Sequence, residues 1–69
     1  VITVRGKFNG MVPVQIQVFN PLGDIIDVGK YNVEYLDENI DLSNQPSGIY
    51  LILVQFRERV IWKKVMLLH

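Results

Sequence analysis

The sequence predicts an all-β fold, a small Ig-like antiparallel β-sandwich of about seven short strands. Three observations predict it. No stretch over ten residues long repeats its apolar positions at a helical period. Runs rich in Val, Ile and aromatic residues recur at short spacing, and Gly, Pro, Asn and Asp separate them. Val12, Val14, Ile16 and Val18 alternate with Pro13, Gln15 and Gln17, the period of a strand with one face on a core and one in water.

The elements follow in order. Residues 1–5 read as a strand, and Asn9-Gly10 in the following link is a strong tight-turn dipeptide. Residues 12–18 form the second strand. Pro13 has no N–H to give a ladder, so it belongs at an edge or a strand start. Phe19 breaks the alternation and is expected to cap the core. Asn20-Pro21-Leu22-Gly23 turns the chain into a short strand over residues 24–28, with Ile25 and Ile26 on opposite faces. Gly29-Lys30 reads as another turn. In residues 31–35, Tyr31, Val33 and Tyr35 alternate with Asn32 and Glu34, which puts the two tyrosines on one face. Asp37-Glu38-Asn39 reads as a solvated loop before a short strand at 40–42.

Pro46 presets its φ for a turn and Gly48 permits a backbone most residues resist. Residues 49–56 form the longest strand, apolar on both faces up to Val54, so it is expected to be central and covered on both sides. Arg57-Glu58-Arg59 is a charged hairpin loop, and residues 60–68 return as the last strand. Alternation sends Lys63 to the side of Ile61, Val65 and Leu67, and Lys64 to the side of Trp62 and Met66.

Composition narrows the function. The 69 residues make one domain, expected to span the whole of 1–69. A chain this short buries only ~60% of its unfolded surface, so its core is thin. A 49% hydrophobic share compensates, and no cysteine supplies a disulfide or thiolate metal site. Seven Lys and Arg balance seven Asp and Glu, without the basic excess of a nucleic-acid binder or a membrane-surface patch. The longest apolar runs, at 49–54 and 65–68, fall far short of a transmembrane segment of ~20 residues. Arg5 and Lys7 interrupt the first apolar stretch too early for a signal peptide, so if the protein is exported its signal is expected before Val1. The opening in mid-strand reads as a fragment or terminal domain of a longer protein.

Few residues offer chemistry. His69 is a lone terminal histidine, read as a solvated end. Asp37, Glu38 and Asp41 could bind calcium weakly, but their spacing fits no helical calcium loop, and a solvated turn is the simpler reading. Ser43 and Ser47 have no nearby His or Lys to activate them, and Ser43 is expected to bond local backbone. The glycines are dispersed, not grouped as a phosphate loop. No catalytic, cofactor-binding or metal residue is therefore assigned, no cofactor is expected, and the chain does not read as an enzyme. Tyr31, Tyr35 and Trp62 allow a sugar-stacking platform, with packing as the plainer alternative. Lys63-Lys64 beside Trp62 suits a solvated strand edge that resists aggregation.

Three ordered blocks carry a family resemblance. Residues 14–26, with Leu22-Gly23 at the turn, resemble a strand-turn-strand "v.v.vyd.lGr.v". Residues 40–54, Ile-Asp-Leu-Ser-Asn-Gln-Pro-Ser-Gly-Ile-Tyr-Leu-Ile-Leu-Val, resemble "IDLSxLPSGIYxLxV". Residues 60–68, with Lys63 and Lys64, resemble a terminal "v.tkKiii" strand. In this order they are similar to the C-terminal sorting domains of the type IX secretion system, found in Bacteroidetes-type bacteria. Asn20-Pro21 stands where the family more often has Asp, Trp62 where a small polar residue is common, and the usual upstream "yPNP" is not among these residues.

The resemblance implies an address that sends a covalently linked N-terminal cargo across the outer membrane. The cargo would pass the periplasm to the cell surface or medium, with an outer-membrane translocon and a sortase-like peptidase as partners. Leu22, Gly23, Pro46, Gly48, Tyr50, Lys63 and Lys64 are the candidate recognition or structural residues. The alternative is an accessory carbohydrate-binding or adhesion sandwich of a secreted protein.

Overall fold

The computed structural model describes residues 2–68; Val1 and His69, the latter read above as a solvated end, lie outside the described residues. Four strands are present: β1 Ile2–Phe19, β2 Ile25–Ile40, β3 Gly48–Phe56 and β4 Arg59–Leu67. They form one antiparallel sheet in the order β2-β1-β3-β4. The all-β expectation holds. The seven short strands of an Ig-like sandwich are not what the chain builds, because three turn or loop signals do not reverse it.

Each misread signal has a physical reason. Asn9-Gly10 lies inside β1, where the register shifts between Lys7↔Tyr35 and Val12↔Val33 and Gly10 takes φ 90°. The dipeptide makes a bulge and a bend, not a hairpin. Gly29-Lys30 stays in β2, paired with Ile16 and Gln15. The Tyr31 ring lies over Gly29 and supplies the surface that the glycine lacks. The polar run Asp37-Glu38-Asn39 pairs with Arg5, Val4 and Thr3, so its polarity marks a strand at a wet edge.

The bend in β1 creates the core. Eighteen residues at ~3.3 Å each would span ~60 Å, yet the molecule is 38 Å in its longest dimension. The outer half of the β1–β2 hairpin therefore folds back over β3. Phe8 meets Phe56 with ring centroids 5.1 Å apart, and the Arg57 guanidinium donates to the Asn9 carbonyl at 3.2 Å. Burial, then the carboxylates of Glu38 and Asp27, hold the Tyr31 hydroxyl above its ordinary value. Tyr31 and Glu38 are seven positions apart on one strand and could not influence each other if β2 were straight.

One sheet thus supplies two layers. Val12, Val14, Ile16 and Val18 of β1 and Tyr50, Ile52 and Val54 of β3 are buried between them with Leu36, Ile40 and Leu42. Pro13 sits one residue before the β3 ladder opens at Val14↔Phe56, where β1 still has a free side. Strand β3 is central as expected, but it is not covered on both sides: the second layer covers its inner face only, and on the far side Leu53 is buried while Ile49 is 43% exposed. Phe19 does not cap the core. Its pairing with Leu51 puts it on the opposite face, where its ring lies 5.8 Å from Trp62.

The β3–β4 hairpin forms as expected, but its loop is the pair Arg57-Glu58, with Arg57 at φ 53°, and Arg59 already belongs to β4. Ile52 and Ile61 share the inner face, yet Ile52 is 1% exposed and Ile61 51%. Truncation to alanine should separate them. Ile52→Ala is expected to cost ~2–4 kcal/mol through lost burial and a cavity, and Ile61→Ala less than ~1 kcal/mol. Urea midpoints of the two variants measure this, and equal losses would mean the inner face of β4 is packed after all.

Candidate functional site

Two loops that are distant in sequence meet at one end of the sheet. The first is the β1–β2 turn. The Asn20 side-chain oxygen accepts from the Leu22 amide at 3.0 Å and the Asp24 amide at 2.9 Å. The Gly23 amide donates to the Asn20 carbonyl at 3.0 Å, and Gly23 has φ 89°, a conformation glycine adopts without strain. Asn20 is thus an effective substitute for Asp, because the turn needs a short side-chain acceptor and either residue supplies one. Leu22 projects from this turn, 87% exposed.

The second loop leads from β2 into β3. The Ser43 amide donates to the Asp41 carboxylate at 2.9 Å, and this contact with Ser43 holds that carboxyl below its ordinary value. The Gln45 amide then donates to the Leu42 carbonyl at 3.0 Å. Tyr50, 1% exposed, runs through the core and donates its hydroxyl to the Pro46 carbonyl at 2.6 Å. That bond satisfies the one polar atom of a buried ring and ties the proline turn to the strand it precedes.

Gly48 joins the two loops. Its φ is 157°, and a Cβ placed on it would lie 2.7 Å from Cγ of Pro21. Position 48 is glycine because the Pro21 ring fills the space of a side chain. Asn20, Pro21 and Leu22 line a shallow pocket of about 300 Å³ with Gln45, Pro46 and Tyr50. Leu22, Gly23, Pro46, Gly48 and Tyr50 are therefore brought to one end. Lys63 and Lys64 are not: they lie along β4, paired with Ile52 and Leu51, on opposite faces of the sheet. Lys64 shares the outer face with the exposed Trp62 and Met66.

Other candidates disperse. Tyr31 and Tyr35 do not share a face, because the bulge opposite Glu34 shifts the register between them. Tyr31 packs against the core through its pairing with Val14, while Tyr35 stands exposed opposite Lys7. The sugar-stacking platform loses its two rings. Asp37 pairs with Arg5 at 3.3 Å, Glu38 lies on the other face and Asp41 binds Ser43, so the three acids do not converge. Among the described residues no three metal-binding side chains cluster, and no helix is long and apolar enough to cross a membrane. The sequence reading passed over Asn20 and Pro21 as site builders. The signal was present, since Asn followed three residues later by Gly marks a side-chain-built turn.

The family described as the secretion system C-terminal sorting domain matches residues 1–68. The chain belongs to this family. It is a sorting signal for type IX secretion, the tail by which that system handles a cargo protein, and it implies export to the cell surface or extracellular space. No curated protein and no solved structure matches the chain. The sorting domain's hallmark blocks now have physical roles. The Leu-Gly turn and the Pro-Ser-Gly-Ile-Tyr step are the two sides of the Pro21–Gly48 contact, closed by the Tyr50 bond.

Two substitutions test this closure. Tyr50→Phe should leave the Pro46 carbonyl without its donor and lower stability by about 1–2 kcal/mol. Gly48→Ala should force the Pro21 ring aside and lower it by ~1–3 kcal/mol. Chemical denaturation reads both, and a Gly48→Ala protein as stable as the parent would show that the two loops are not in contact.

Proposed function

We propose that this domain is the address, not a catalyst, at the end of a longer exported protein. It accompanies its cargo through the periplasm, is recognised as a folded unit by the outer-membrane translocon, and is then removed by a sortase-like peptidase. The observation that carries the reading is the convergence of the sorting motifs at one end of the sheet, with Leu22 exposed on a turn held by Asn20. A bulky apolar side chain fixed in water contributes nothing to folding, and it is ready to enter a partner's pocket without further ordering. A folded domain is required, because Leu22 and Pro46 are far apart in sequence and share a surface only once β1 and β3 are paired. The outer stripe of Trp62, Lys64 and Met66 extends the proposed contact face, with edge protection by lysine as the competing role.

Fusion of the chain to the C-terminus of a periplasmic reporter, in a host with type IX secretion, tests the reading. The reporter should reach the cell surface, both with the chain as given and with its natural upstream residues included. Periplasmic retention of both folded fusions would count against it. Leu22→Asp and Lys64→Glu should each leave stability within ~0.5 kcal/mol, being surface changes, and each should reduce surface delivery. Normal delivery of folded Leu22→Asp would remove the turn from the recognition face. Normal delivery of folded Lys64→Glu would assign the final-strand lysines to control of aggregation.

A further inference from the structure

The folded-back layer is one strand short of the layer beneath it. Between Ile2 and Lys7, β1 pairs with β2 on one side only, since its pairing with β3 begins at Val14. Its other side presents a row of free backbone groups. That edge overhangs the inner face of β4, which the upper layer does not cover: Ile61 is half in water beside the buried Val54. The Cα atoms of β1 and β4 stay more than 8 Å apart. The space between is a groove of about 490 Å³, floored by Val54, Phe56 and Ile61, and it continues past Ile2 to Lys63. Arg57 closes one end by bonding the Asn9 carbonyl.

The charge of this groove has one sign. Arg59 and Lys63 stand on the inner face of β4, and Lys7 lies on the overhanging strand. Among the described residues, no acidic one lines it. Among the described residues the one ion pair is Arg5–Asp37, so these three cations have no acidic partner. The net charge of zero conceals the separation: β4 carries Arg59, Lys63 and Lys64 with no acid, while β2 carries Asp27, Glu34, Asp37 and Glu38 against Lys30.

We propose that this groove binds an extended segment of a partner polypeptide, with alternating apolar and acidic residues, which adds as a strand to the Ile2–Lys7 edge of β1. Its backbone would complete the free row on β1. Its apolar side chains would face down onto Ile61, and its carboxylates, on the opposite face, would stand beside Lys7, which points outward opposite Tyr35. The exposed apolar floor lies on the single strand β4, at Ile61, which favours an isolated segment over the edge of a second folded copy. The binding is separate from the sorting role, because it involves neither Leu22 nor the proline turn and is read in solution without export.

The test uses the purified chain and two end-blocked peptides of about eight residues, long enough at ~3.3 Å per residue to cover Ile2–Lys7. One alternates Val with Glu and the other Val with Lys. The acidic peptide should bind, lose affinity as salt rises, and slow hydrogen exchange of alternate amides within residues 2–7. The basic peptide should not bind. Lys7→Glu should weaken acidic-peptide binding about fivefold or more while circular dichroism stays unchanged. Absence of binding overturns the proposal, as does equal binding of both peptides. So does protection along β2 or β4 in place of β1, or sedimentation showing that the chain fills the groove with a second copy.

Discussion

The bend at the β1 bulge governs the structure. A small open sheet has one buried face only if something covers it, and this chain has no helix among its described residues to do so. Its own first hairpin takes that part. The Asn9-Gly10 bulge lets an 18-residue strand turn back within a 38 Å molecule, so Ile2, Val4 and Phe8 reach the inner face of β3. The buried positions on β1 and β3 depend on that cover. A two-layer core from four strands is economical for 69 residues, but it leaves β4 under-roofed. The same bend thus makes the core and leaves the groove.

The second determinant is the junction of the two loops. Pro21 occupies the volume that a side chain at 48 would need, and the Tyr50 hydroxyl holds the Pro46 carbonyl. The three parts are mutually dependent: the glycine admits the proline ring, the ring positions the turn, and the buried tyrosine fixes the loop beneath. A sorting signal carried on such a junction depends on folding, because its exposed groups share a surface only when β1 and β3 are in register. On the proposed reading, a receptor of this end would distinguish a folded tail from an unfolded chain of identical sequence.

The outer faces of the two layers differ in polarity. The folded-back layer is wet, with Thr3 bonded to Asn39 at 2.9 Å and Arg5 paired to Asp37. The outer face of β3 and β4 is apolar, built from Phe19, Leu53, Trp62 and Met66, with Lys64 its cation on β4. Charge is divided as well, acidic along β2 and basic along β4. Zero net charge is therefore no sign of electrostatic indifference.

Much of this was legible in the sequence for a local reason. Val12 to Val18 and Ile49 to Val54 announce strands through period and β-branching, and the Arg57-Glu58 turn between two apolar runs leaves the last hairpin one way to pair. The alternation that placed Lys63 inward and Lys64 outward is a property of any strand. The ordered motif blocks were enough to point to the family, and five of their residues do meet in space. What the tertiary structure decided is everything that depends on whether a flexible residue turns the chain or only bends it. Asn9-Gly10 and Gly29-Lys30 have the chemistry of turns, yet the partner strand continues opposite both, and ladder hydrogen bonds with cross-strand packing outweigh a local preference of this size. That is why seven expected strands became four. It is also why Tyr31 and Tyr35 parted, and why Pro21 and Gly48, 27 positions apart in the chain, came to define one site.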